Sequence, residues 1–438
     1  MESLADKCRQ CTQRQTMTSM DQKLFKQIKN EWRSNLWLAI ELLIVSVVMW
    51  YIIDYFYVDY RVYNEPLGFD TEHCYRLDVS YLNEKSPDYI ADASEEEWVS
   101  WMNTLEDRLR ARPEIEAVGR GQNSHPYNGS NSGTMLKYDT INTSSYVIRR
   151  VVSPDFVRVF RYEGINGETP DQLAEILDKG EILISENLLS MEKDPGMDAA
   201  DLMGKDVYID WDTTRTVRVG AVLKPVKYSE FLQGPMNRTI VIPERLTNVN
   251  TNEWVVRVKE NMDKDFEKNL RADIDRHFRI GNMYISNIKP FSVLRDSYIK
   301  AEKDTIRNML TVMGFLMVNI FLGLLGTFWF RTQQRTRDIA VRKVSGATSG
   351  DILRLLFGEG LLILTVVTPI AIAIDANIAN LELSAYLHGA GDGYFAWWRL
   401  ALCGGLTYIV MAIMIVVGIA IPAYRAMHIT PAVALHNE

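Results

Sequence analysis

Apolar residues in this chain are gathered into four long blocks, separated by polar stretches of very different length. The blocks run Leu36–Ile53, Met309–Phe330, Leu355–Ile374 and Leu400–Ile421. A helix needs about 20 mostly apolar residues to cross the hydrocarbon core of a bilayer. In lipid only helices and closed barrels satisfy every backbone polar group. The pattern therefore predicts transmembrane helices at 36–57, 306–330, 352–374 and 398–421. A soluble reading would need four buried helices of unusual length and uniformity. The overall hydrophobic content of 47% would suit an ordinary soluble protein, so it is the placement of apolar residues that decides the class.

Orientation follows from Lys and Arg near the helix ends. Lys23, Lys26, Lys29 and Arg33 precede the first block, and Arg331, Arg335, Arg337, Arg342 and Lys343 follow the second. Arg425 follows the fourth. The stretch between the third and fourth blocks carries Asp375, Glu382 and Asp392, with Arg399 as its base. This bias predicts a cytoplasmic N-terminal segment at 1–35, a cytoplasmic loop at 331–351 and a cytoplasmic tail at 422–438. The large segment 58–305 and the short loop 375–397 then lie outside. Residues 1–35 lack the short apolar core and small-residue cleavage site of a signal peptide, so the first span is expected to be an uncleaved anchor.

Within the large segment the hydrophobic period changes. Short β-like runs recur at Tyr75–Tyr81, Tyr146–Val152, Glu181–Ser185, Asp206–Trp211, Thr216–Leu223, Thr239–Ile242 and Trp254–Val258, bounded by turn residues. Helical spacing appears twice. Trp98, Trp101, Met102, Leu105 and Leu109 share one face from Glu95 to Arg110, and Phe266, Leu270, Ile274 and Phe278 share one from Asp263 to Phe278. These elements predict an α+β extracytoplasmic domain inserted between the first and second spans, with room for two lobes.

Candidate chemistry adds little. There is no phosphate-cradling GxxxxGK[ST] loop and no HExxH, and Gly129–Gly133 has Asn131 where a nucleophile elbow needs Ser. Cys8 and Cys11 form a CxxC without further ligands, Cys74 has no second cysteine within the domain, and Cys403 falls in the fourth span. Asn128, Asn142 and Asn237 open glycosylation sequons that matter only in a eukaryotic secretory setting. No catalytic, metal or cofactor-binding residue is expected, and no nucleic-acid partner. Glu41 and Glu359 lie inside spans, where a charge is costly. Pairing with a polar group on a neighbouring helix is the favoured reading for each, ahead of an ion or substrate path. Pro369 is expected to kink the third span. Gly323, Gly326, Gly404, Gly405 and Gly418 are expected to admit close helix packing.

The loop after the second span carries the most specific pattern. On a helical wheel Ala340, Val341 and Val344 share a face, with Arg335, Arg342 and Lys343 opposite. Asp338 can pair with Arg342 one turn on. Ser345, Gly346 and Ala347 break that helix, and Thr348 with Asp351 forms a capping box that starts the next. A short basic amphipathic helix at a membrane surface can rest on anionic lipid or dock into a partner.

The run Asp338-Ile-Ala-Val-Arg-Lys-Val-Ser-Gly-Ala347 resembles the (E/D)-I-(A/G)-(I/V)-R-K-x-x-G-A pattern of MacB/FtsX-like permeases of ABC transporters. The tail, with Pro422-Ala-Tyr-Arg-Ala426 before Pro431-Ala-Val-Ala-Leu435, is similar to that family's closing motif. Val152–Phe160, Ile182–Leu188, Leu202–Ile209 and Thr216–Val222 resemble segments of its outer domain. The resemblance runs from the first span to the end. No ATPase domain is fused here, and the first 20 residues match nothing in the family.

The resemblance implies a bacterial inner-membrane permease with its large domain in the periplasm. Such a permease dimerises and recruits a separate ABC-type ATPase that binds the ATP. Arg337, Asp338, Ile339, Ala340, Val341, Arg342, Lys343, Gly346 and Ala347 would form the ATPase-coupling loop. ATP-driven closure would then move the outer domains as levers, for efflux or extraction of a periplasmic substrate. A periplasmic adaptor, an outer-membrane channel or a hydrolase would be further partners, beside membrane lipid. The alternative is a regulator that uses the same stroke to switch a cell-wall hydrolase or sensor. A receptor or adhesin on a four-helix anchor would leave the basic loop helix with lipid contact alone.

Overall fold

The structure is a computed structural model and describes residues 32–143, 147–190, 192, 195–209, 214–231, 237–247, 251–380 and 397–428. Cys8, Cys11, Lys23, Lys26, Lys29, Glu382, Asp392 and the closing Pro431–Leu435 motif lie outside the described residues. Helix α1 (Trp32–Asn64) opens the chain. A mixed region follows: β1 (Cys74–Tyr81), α2 (Glu95–Arg110), β2 (Ile115–Gln122), β3 (Ser132–Thr134), β4 (Leu136–Tyr138), β5 (Ile141–Asn142), β6 (Val147–Val152), α3 (Phe156–Val159), α4 (Pro170–Lys179) and β7 (Ile182–Ser185). It continues with β8 (Asp206–Ile209), β9 (Thr216–Leu223), β10 (Thr239–Pro243), β11 (Glu253–Val258), α5 (Phe266–His277), β12 (Arg279–Ile280), β13 (Met283–Pro290) and α6 (Phe291–Tyr298). Helices α7 (Lys300–Gln334), α8 (Thr336–Val344), α9 (Ser349–Asn380) and α10 (Trp397–His428) complete it. Helices α1, α7, α9 and α10 are long and apolar enough to cross a membrane.

The chain divides by its internal contacts into a helical unit, up to Asp59 and from Ile306 on, and a sheet unit centred on Tyr60–Thr305. In the sheet unit the strands follow the order β12-β13-β1-β11-β2-β6-β10-β7-β9-β8-β4-β5, with β3 on β6. Strand β9 joins two parts of this path, pairing with β8 through Thr216–Arg218 and with β7 through Val219–Leu223. Pairs β6–β10 and β7–β9 are parallel and the other pairs antiparallel. Helices α2 and α5 cover one core with Leu105, Leu109, Phe266 and Leu270 against Trp254. Helices α3, α4 and α6 contribute Phe156, Leu173 and Phe291 to another.

Local sequence explains the helix ends. Ser94 and Glu97 form the capping box that starts α2, and Thr169 and Gln172 do the same for α4. Each box satisfies two backbone N–H groups that a helix start leaves open. Strand β2 carries Gly119 because α3 lies on it: a Cβ there would sit 2.7 Å from the Phe156 Cα. Cys74 is buried in the core and donates to the Val159 carbonyl at 3.3 Å. Burial pushes its thiol up to about 12, so it is chemically quiet.

In the helical unit Leu38, Leu42, Leu324, Phe328, Leu364, Met411 and Ile415 form the main core. Of the glycines expected to admit close packing, Gly404 and Gly418 have neighbours at van der Waals distance, whereas Gly323, Gly326 and Gly405 face open space. The tightest approach is at Gly360, where a Cβ would stand 2.8 Å from the Ile415 Cγ2. Pro369 lies inside α9.

Candidate functional site

Helix α7 ends where Arg335 turns out of helical geometry, at φ −94° and ψ 6°, and α8 begins at once. The end of α8 is fixed by backbone. Gly346, at φ 94°, donates to the Lys343 carbonyl at 3.0 Å, and Ala347 donates to the Arg342 carbonyl at 3.0 Å. This pair of bonds is the Schellman closure, and its left-handed residue favours glycine. Thr348 and Asp351 then cap α9 reciprocally, at 3.0 and 3.2 Å. The four residues from Ser345 to Thr348 therefore stop one helix and start the next in a fixed geometry.

The orientation of α8 differs from the wheel expectation. Ile339 and Ala340 are buried, with Arg335, Thr336 and Lys343 half-buried beside them. Val341 and Val344 are 50% and 68% exposed, and Arg337, Asp338 and Arg342 are exposed around them. Lys343 thus sits on the protein side rather than with Arg342. The reason is the inclusion of Ile339: the wheel face drawn through Ala340 and Val341 left out the largest apolar side chain, and that side chain sets the buried direction. The open face is a two-valine stripe edged by charges of both signs.

Intramembrane acids are paired with side chains on neighbouring helices. Thr327 on α7 lies 3.1 Å from both carboxylate oxygens of Glu41 on α1, and donates to one. Glu359 on α9, 5% exposed, accepts from both terminal nitrogens of Arg335, with Nη2–Oε1 at 3.1 Å. Arg331 stands 3.8 Å from Glu359 and donates to Asn35 of α1 at 2.6 Å. One cluster thereby ties α1, α7 and α9.

A second cluster was not legible as a site. Arg399 of α10 donates to Asp54 of α1 through two bonds of 2.7 and 2.5 Å. Asp375, read from the sequence as part of the short outer loop, lies instead inside α9 and is buried. Each of these three residues sits at the polar end of an apolar block, where a flanking charge and a buried partner look alike in sequence.

In the sheet unit the segment from Val226 to Phe231 holds both chain entries. Lys227 Nζ donates to the Val62 carbonyl in the last turn of α1 at 3.0 Å and pairs with Glu65 at 2.8 Å. Phe231 packs its ring 5.5 Å from that of Tyr63. Three residues along from Lys227, Glu230 accepts from Arg295 of α6 at 2.5 Å and from Tyr127 at 3.1 Å. Gly68 is required here: its φ is +73°, and a Cβ would stand 2.1 Å from the Pro225 carbonyl oxygen.

Residues 310–431, which contain α8 and the Arg335–Glu359 pair, match the family model for the FtsX-like permease C-terminal domain. This stretch is similar to FtsX-like permease C-terminal domains. About half of the chain is similar to each of two solved structures. One is the extracellular domain of the noncanonic ABC-type transporter YknZ from Gram-positive bacteria, at 15% identity and a TM-score of 0.29, covering 48% of this chain and 100% of that one. The other is the periplasmic region of MacB from Actinobacillus actinomycetemcomitans, at 12% identity and a TM-score of 0.29, covering 57% of this chain and 98% of that one. No curated protein matches the chain.

Proposed function

We propose that this FtsX-like permease is the membrane subunit of an ABC-type transporter, driven by a separate cytoplasmic ATPase that binds the ATP. The carrying observation is the open face of α8, with Val341 and Val344 exposed between Arg337, Asp338 and Arg342 on a helix locked at its end. Exposed valines ringed by charge on a rigid helix suit insertion into a protein groove, where apolar anchors supply affinity and rim charges supply register.

In this reading α8 and both chain termini face the cytoplasm of a bacterial inner membrane, and the sheet unit faces the periplasm. The ATPase stroke enters at α8 and reaches the outer domain through α1 and α7, to move a periplasmic substrate outward. The Lys227 and Glu230 contacts support the outer end of this path, because they hold α1 and α6 from one short segment. Dimerisation is supported by α7, where 11% of the apolar stretch is buried, against 33% to 39% in the other spans. The open faces of Gly323 and Gly326 on α7 give a second copy room for close approach.

Affinity purification of the full chain from its native membrane tests the reading. An ABC ATPase should co-purify with the wild type and be lost from Arg337→Glu/Arg342→Glu. Recovery of the wild type without any such ATPase would sink the proposal.

A further inference from the structure

Hydroxyl groups on the long helices mostly satisfy themselves. Thr332, Thr365, Thr368 and Thr407 each donate to the carbonyl four residues earlier, at 2.7 to 2.8 Å. This is the ordinary solution for a hydroxyl on a helix in an apolar setting. Ser46 of α1 departs from it: its Oγ has no hydrogen-bond partner among the described residues. The same is true one turn further on for Trp50 Nε1, and on α9 for Asp375 Oδ1. Ser46, Trp50 and Asp375 are 3%, 2% and 1% exposed. All three line one small cavity of about 10 Å³, shared with Thr368, Gly404 and Thr407.

A buried polar atom without a partner costs about 1–3 kcal/mol, so three of them on residues that line one cavity call for a common ligand. The volume is about that of a single water-sized sphere. The chemistry matches as well. Trp50 N–H only donates, Ser46 can donate, and a carboxyl oxygen of Asp375 accepts. One water molecule accepts from the first two and donates to the third. A metal cation fits poorly, because the indole N–H would turn its positive end toward it.

We propose that Ser46, Trp50 and Asp375 form a binding site for one buried water molecule, which joins α1 to α9. Asp54 lies one turn beyond Trp50 on α1 and is engaged by both Arg399 donors. The water therefore adds a second polar link at the same end of the bundle. A link through one water re-forms after a small slide of one helix, whereas a two-bond ion pair must break.

Infrared spectra of the full-length protein in lipid nanodiscs test this, recorded in deuterium oxide and in its heavy-oxygen form. The wild type should show one narrow O–D stretching band that shifts with heavy oxygen. Ser46→Ala, which removes only a hydroxyl, and Trp50→Phe, which removes only an N–H, should each lose it. Unchanged circular dichroism and elution volume would show that both variants fold. A wild type without an oxygen-sensitive band overturns the proposal, as does a band that survives both substitutions. A thermal midpoint that rises with sodium over choline, and loses that rise in Asp375→Asn, would identify a cation site and overturn it equally.

Discussion

The sheet unit and the helical unit hold their buried charges in different ways. In the sheet unit Arg150, Arg238 and Arg257 are fully buried, and much of their satisfaction comes from backbone carbonyls. Arg257 donates to the carbonyls of Val159, Glu72 and Asp70 at 2.6, 2.9 and 2.8 Å. Arg150 donates to those of Ser124 and Lys227. In the helical unit Arg335 and Arg399 are held by the carboxylates of Glu359 and Asp54. The difference follows from the backbone. Loops and strand ends leave carbonyls free to accept, whereas the interior of a helix spends its carbonyls on its own ladder. A charge among helices can be satisfied only by another side chain, by water or at a helix end. In the sheet unit Lys227 also uses a helix end, through the Val62 carbonyl.

The largest effect should come from removing a carbonyl-held charge. Arg257→Met would take three charged hydrogen bonds from backbone carbonyls at once, leaving the Val159 carbonyl only the Cys74 thiol, and lower the stability of the sheet unit by about 4 kcal/mol or more, since bonds to charged groups contribute about 1.5–3 kcal/mol each. No second substitution should recover most of the loss, because three of its partners are backbone carbonyls and only the Asp70 carboxylate, at 3.2 Å, is a side chain. The Asp54–Arg399 pair should behave oppositely. Asp54→Asn should cost about 3 kcal/mol, the usual loss when one member of a buried pair is removed. The swap Asp54→Arg/Arg399→Asp should recover much of it. Thermal denaturation in nanodiscs reads both, and rescue of Arg257→Met by any side-chain swap would break the comparison.

A smaller effect concerns His125, which is 1% exposed and pairs its Nδ1 with the Pro126 carbonyl at 2.7 Å. Burial holds its pKa below the ordinary value, and Glu253, 3.8 Å away, opposes this only in part. The unfolded chain then binds more protons than the folded one below pH ~6.5. Stability contributed by the neutral ring is present above that pH and lost as pH falls through it. Melting of the wild type on either side of that pH should show the loss, and His125→Gln should flatten it. A wild-type midpoint that rose on acidification would contradict the assignment.

The sequence revealed the two units unequally. Blocks of apolar residues marked all four long helices, and strands with alternating or continuous apolar runs were found, such as β9 and β11. Strand β2 was missed because Gly119 and Gly121 dilute its apolar pattern, and they are there for contact with Phe156 and Ser124. Strand β13 was missed because its pairing to β1 spans some two hundred residues, and no local pattern shows that. The Thr348–Asp351 box was readable because both partners are three residues apart. Asp375 was misplaced because a charge near a block's end gives no sign of whether its helix continues. Lys343 was misplaced because a helical wheel orders side chains around an axis without saying which direction is the interior.

That last point sets the smallest stability effect and the sharpest contrast within one helix. Val341 and Val344 are exposed while Ile339, on the same nine-residue helix, is 5% exposed. Val341→Ser should change stability by less than about 0.5 kcal/mol, as surface changes usually do. Ile339→Ser should cost about 2 kcal/mol or more through lost burial and a buried hydroxyl. In the proposed ATPase complex the order of importance should reverse. Burying one valine in a groove contributes about 1.5 kcal/mol, so Val341→Ser should weaken ATPase capture about tenfold at unchanged thermal midpoint. Titrated pull-downs beside melting curves separate the two quantities. A Val341→Ser protein that captured ATPase as well as the wild type would turn the open stripe of α8 toward lipid instead.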